Sequence, residues 1–116
     1  MSIIDSPSLQ RVGTYLDLAA FRQKLITTNI ANIDTPGYRT LDIDFADEMR
    51  KALDGAGAGD PLPRQIPLPT ERPDGNNVNV DRESLLLAEN QLRFRTGVQV
   101  LRSELQRISI AIREGR

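Results

Sequence analysis

Cysteine, histidine and tryptophan are all missing from this 116-residue chain. Without cysteine there is no disulfide framework and no thiol chemistry. Without histidine as well, the common zinc ligands and the commonest general base are gone, and neither a Ser-His-Asp nor a Cys-His arrangement can be assembled. Neither a P-loop nor a glycine-rich dinucleotide fingerprint occurs, so no cofactor is expected. Aromatic residues are scarce: Tyr15, Phe21, Tyr38, Phe45 and Phe94 are all there are. A core built on them is small, and a chain of this length buries a modest share of its surface. No apolar run exceeds four residues, far short of the ~20 a membrane helix needs, so direct membrane insertion is not expected. The opening residues MSIIDSPSLQ carry Asp5 and no basic stretch ahead of an apolar one, so no cleaved signal peptide is expected.

Charge is nearly balanced at −1, which gives no global reason to bind nucleic acid. Its distribution is uneven. Residues 1–33 carry three basic and two acidic side chains, residues 34–80 five and nine, and residues 81–116 seven and five. The acidic cluster Asp42, Asp44, Asp47 and Glu48 lacks the spacing and glycine of a calcium loop and reads as a solvated patch. The arginines of the last third alternate with glutamates, as charges flanking a helix pair do.

What is present is helical rhythm at both ends. Leu9, Val12, Leu16, Ala19, Gln23, Ile26, Ile30 and Ile33 alternate steps of three and four. That pattern is a heptad seam with one polar interruption. Ser6 and Pro7 suit a helix start. The second seam runs Leu87, Gln91, Phe94, Val98, Leu101, Leu105, Ile108 and Ile112, with Asp81 as the expected N-cap, Gly97 as an interior cost and Gly115 as the stop. The expected fold is mainly α: two long terminal helices in an antiparallel coiled-coil hairpin, with an irregular, partly extended middle. The divisions are residues 1–33, 34–80 and 81–116.

These seams leave apolar side chains over. Leu18, Phe21 and Leu25 lie off the first, and Leu85, Leu86, Leu92, Val100 and Ile110 off the second. A helix apolar on more than one face needs more than one neighbour. Either the middle segment folds back over these residues or other subunits cover them; Leu18, Phe21, Leu25, Leu86, Leu92 and Ile110 are expected at contacts between subunits. Within the middle, Leu41, Ile43 and Phe45 alternate with aspartates in a strand-like way, although Phe45–Leu53 also suits a short helix. Residues 55–75 hold four glycines and five prolines, so a flexible loop is expected there.

The most distinctive stretch is Asn29-Ile30-Ala31-Asn32-Ile33-Asp34-Thr35-Pro36-Gly37-Tyr38-Arg39. Pro36-Gly37 suits a type II turn, and Asn29 and Asn32 sit where amides can satisfy free helix-end carbonyls. Asn29, Asn32, Thr35, Pro36, Gly37 and Tyr38 therefore form a connector that sets the exit direction of the chain. This string resembles the N-terminal signature of the flagellar axial proteins. The following Leu41-Asp42-Ile43-Asp44-Phe45, the stretch Gly75–Glu83, Ala88-Glu89-Asn90 and Leu92-Arg93-Phe94 look most like the rod branch of that family. The resemblance covers roughly residues 5–50 and 74–113.

The resemblance implies a structural subunit of the bacterial flagellar basal body, without catalytic activity. It implies export through the flagellar type III apparatus and self-assembly with other rod subunits into a hollow, periplasmic proximal rod. The implied partners are copies of itself, other rod proteins, a FliE-type adaptor, the MS ring and the export gate. The alternative is a soluble helical-hairpin adaptor or secretion chaperone.

Overall fold

The computed structural model describes residues 6–55, 60–68 and 71–115. Helix α1 spans Pro7–Ala31, strand β1 Leu41–Asp42, helix α2 Phe45–Leu53, strand β2 Arg64–Gln65 and helix α3 Val80–Glu114. The two terminal helices pack together, α2 and β1 lie against α1, and β1 pairs with β2. At ~1.5 Å per residue α1 is ~38 Å long and α3 ~52 Å. The hairpin is antiparallel: Asn29, near the end of α1, meets Glu83 at the start of α3, and Asn90 reaches the Ala19 carbonyl one level further along.

Local chemistry sets the ends. Ser6 holds the N-cap position of α1 with Pro7 inside the helix, but its hydroxyl accepts no capping bond. α3 begins two residues earlier than expected, so Asn79 and not Asp81 is its N-cap; the Asn79 side chain accepts from the Arg82 amide. Asp44 caps α2 in the same way, through Asp47 N–H. Thr35-Pro36-Gly37-Tyr38 closes with a Tyr38 N–H to Thr35 carbonyl bond, and Gly37 has φ +77°. That is the expected turn, and the positive φ is why glycine stands there.

Within the expected loop, the proline-containing residues 60–68 and 71–75 are more ordered than a free loop. Leu41 and Asp42 pair antiparallel with Gln65 and Arg64. The Asn77 side chain then bridges the two edges, accepting from Thr40 N–H and donating to the Ile66 carbonyl. Part of the expected loop, residues 56–59 and 69–70, lies outside the described residues.

The core is small and partly polar. Its buried apolar members are Val12, Leu18, Ala19, Ile26, Ile43 and Val78. α3 buries no large apolar side chain completely; its buried residues are Glu83, Asn90 and Gly97. These fall seven apart and form one column facing α1, rotated from the expected seam. Gly97 belongs there because a Cβ would stand 2.6 Å from Leu16 Cδ2 and 3.0 Å from Tyr15 Cδ1. The residue expected to cost helix stability is the one that lets the two helices approach.

Candidate assembly site

Three elements converge at the closed end of the hairpin. Asp42 is buried and accepts two hydrogen bonds from Arg22, at 3.0 and 2.9 Å, and one from Arg82 at 3.0 Å. Arg82 also donates to Glu83 at 2.8 Å, and Glu83 is wholly buried. Asn29 donates to Glu83 Oε2 and to the Leu41 carbonyl, while its Oδ1 accepts from Tyr38 O–H and Leu41 N–H. Two arginines and two carboxylates thus balance, and each removed partner would strand another. Burial alone would raise the Asp42 pKa, but Arg22, the Ile43 amide and Arg82 outweigh it and hold the carboxyl below its usual value. Tyr38 moves the other way, raised by burial and then by the Glu83 charge. Asp42 is therefore no part of a solvated acidic patch. Among the described residues, no group of three or more acidic, histidine or cysteine residues is placed to hold a metal ion.

The turn that leaves α1 is held from a distance. Asn32 donates to the Thr28 carbonyl and accepts from the Thr35 hydroxyl. Asn76, fully buried, donates through one amide group to the carbonyls of Asn32, Ile33 and Thr35. Arg72 donates to the Ile33 carbonyl as well. These carbonyls belong to the turn just past Ala31, the last residue of α1, and the loop leading into α3 satisfies them. The connector is clamped between the two terminal helices, so its exit direction follows the hairpin.

Away from this end the molecule opens. One flank of the hairpin is covered: Tyr15 meets Phe45 edge-on at 5.4 Å between ring centres, and Arg93 stacks over Phe45 at 4.4 Å. The other flank is a groove of about 810 Å³ between the helices, lined by Ala20 and Gln23 of α1 and by residues of α3 that include Phe94 and Val98. Beyond Glu104 every described residue of α3 is exposed except half-buried Ile108. No helix among the described residues is long and apolar enough to cross a membrane.

Residues 16–39, the second half of α1 with the connector, match the sequence model of a family described as Flagella basal body rod protein. Most of the chain is similar to Flagellar basal body rod protein FlgB of Yersinia enterocolitica, with 33% identity across 86% of this chain and 89% of that protein. The FlgB protein of Salmonella typhimurium is 35% identical across 78% and 82%, and that of Escherichia coli 32% across 86% and 88%. The chain belongs to the FlgB family of flagellar basal body rod proteins. It is a structural subunit of the flagellar basal body, where it assembles with other basal-body components, and not an enzyme. The adaptor or chaperone alternative finds no support among these relatives.

Within this rod protein the expected site residues divide. The connector residues Asn29, Asn32, Thr35 and Tyr38 are joined as described, and Pro36 and Gly37 form the exposed turn. Of the expected seam, Val12 and Ile26 are buried and Leu9, Leu16, Ile30, Leu87, Val98, Leu101 and Ile108 are half-buried. Phe94 and Leu105 are 41% and 48% exposed, because α3 turns its Glu83–Asn90–Gly97 column to α1 and leaves them on the flank. Of the residues expected between subunits, Leu92 and Ile110 are exposed, and Phe21, Leu25 and Leu86 are half-buried. Leu18 is 5% exposed and leaves that set. It shares a helix strip with Tyr15 and Arg22, the strip that α2 and the connector cover. Sequence reasoning missed Arg22, Asp42, Asn76, Asn77, Arg82, Glu83 and Asn90. The seven-residue spacing of Glu83, Asn90 and Gly97 was a signal, but an apolar pattern search passes over it.

Proposed function

We propose that this chain is a self-assembling subunit of the periplasmic proximal rod, in which α1 and α3 form the tube wall and residues 34–80 the connector. It passes the export gate without a cleaved signal and packs against copies of itself, other rod subunits, a FliE-type adaptor and the MS ring. The observation that carries this reading is the outer face of α3. Leu85 and Leu92 lie about two turns apart and Ile110 about five turns beyond Leu92, on the side of the helix turned away from α1. They are 68%, 60% and 47% exposed. A lone folded chain gains nothing from leucines and isoleucine in water, whereas a neighbour that covers the remaining exposed part of such a side chain gains ~1–2 kcal/mol for each. Assembly supplies the burial that the small core lacks.

The test is Leu92→Asp. The isolated variant keeps its helix content and thermal midpoint within about 3 °C of the parent, since surface changes away from the core are usually within ~0.5 kcal/mol. In cells lacking their own copy it is exported, but basal bodies stop short of a complete rod and the cells do not swim. Normal swimming by that variant contradicts the reading.

A further inference from the structure

The open groove between α1 and α3 differs from the rest of the surface in its polar lining. Arg95 and Arg102 stand on its α3 side, Gln23 and Asn90 lie between the helices, and Phe94 and Val98 supply apolar contact. No carboxylate lines it. Among the ion pairs of the described residues neither Arg95 nor Arg102 takes part.

We propose that this groove is the docking site of an acidic amphipathic helix from a different basal-body protein. A channel between two packed helices accepts a third, whose apolar side chains at helical spacing sit on Phe94 and Val98. Its carboxylates meet Arg95 and Arg102. Charge argues against a second copy of this chain. α1 carries three basic side chains against one acidic, and α3 six against five, so the long helices are net +2 and +1. Within the acidic middle, Asp42, Asp44, Asp47, Glu48, Asp54, Glu71 and Asp74 are ion-paired within the chain, and the one helix there, α2, pairs its Asp47 and Glu48 with its own Arg50 and Lys51. Complementary charge decides which partner docks and how fast more than it adds affinity.

This inference rests on the rod reading above, and the experiment separates the two. A photo-reactive benzoylphenylalanine replaces Gln91, at the groove edge, in a strain lacking its own copy. Basal bodies are purified after irradiation and the cross-linked peptides sequenced by mass spectrometry. Presence of the chain in basal bodies reads the rod assignment; the identity of the cross-linked peptide reads this one. The expected adduct joins Gln91 to a net-acidic helix of another protein, and Arg95→Glu with Arg102→Glu lowers its yield about tenfold while the purified variant keeps its helix content. Arg95→Lys with Arg102→Lys retains most of the yield. An adduct to α1 or α3 of a second copy overturns the proposal, as does a yield indifferent to charge reversal, or no adduct in basal bodies that contain the chain. Absence of the unsubstituted chain from basal bodies overturns the rod reading and this one with it.

Discussion

The two ends of the α1–α3 hairpin are built on opposite principles. At the closed end, charge and amide groups from α1, the connector, the loop before α3 and α3 itself are buried and matched, with Asp42, Glu83, Asn76 and Asn77 all at most 4% exposed. At the open end, α3 continues with exposed Leu105, Ile110 and Ile112. Apolar side chains, which water should drive inside, are outside; charged ones, which water should keep, are inside. The contrast teaches where specificity and adhesion lie. A polar junction tolerates one geometry, because buried Asp42, Glu83, Asn29 and Asn76 each depend on named partners. An apolar face tolerates many neighbours and gains from each. A subunit that must fix its own connector angle and then stick to others has reason to separate the two.

The largest way to break the contrast is Asp42→Ala. It leaves Arg22 and Arg82 without their shared carboxylate, and breaking a buried pair from one side costs ~3–5 kcal/mol. Urea unfolding of the isolated chain should show that loss. A result near zero would mean that the junction is solvated. Next is Gly97→Val. Even one carbon at this position meets Leu16 and Tyr15 too closely, so overpacking of ~1–3 kcal/mol outweighs the helix-propensity gain of under ~1 kcal/mol. The same substitution at Gly13, where a Cβ has nothing within 4 Å, should not share that overpacking penalty, and equal melting points would break the claim of close approach.

Acid sharpens the comparison. The folded-state pKa of Asp42 is lowered, so its contribution is complete above the ordinary carboxylate value of ~3.9 and is lost as pH falls through the lowered one. Stability should therefore decline below about pH 4, and Asp42→Asn, though weaker throughout, should decline less steeply over the same range. The smallest effect on the isolated chain belongs to Leu92→Asp at the other extreme, which acts on assembly alone.

Much of this was legible in the order of residues. The three-and-four rhythm placed both long helices within a few residues, and Pro36-Gly37 marked a turn that the Gly37 φ of +77° bears out. The rotation of α3 was not legible. A search for apolar stripes follows Phe94 and Leu105, whereas the column that faces α1 holds a glutamate, an asparagine and a glycine. Their fitness for burial depends on partners far along the chain: Asn29 lies 54 residues from Glu83, and Ala19 lies 71 from Asn90. The same holds for Asn76, which holds the turn after α1 over 40 residues away. Local pattern reports what a segment prefers, and only the closed chain reports which buried polar group finds a partner. Leu18 shows the converse error. Its off-seam place suggested a neighbouring subunit, but α2 and the connector fold back along the same strip of α1.

Amide hydrogen exchange, compared between the isolated subunit and purified basal bodies, bears most directly on the division between a self-sufficient junction and a dependent face. The account predicts that amides around Asn29, Asp42 and Glu83 are protected in both states, while those of residues 105–114 exchange quickly in the isolated chain and slow by at least about a hundredfold on assembly, as burial of more than ~2.7 kcal/mol would require. Equal protection of residues 105–114 in the two states would contradict it.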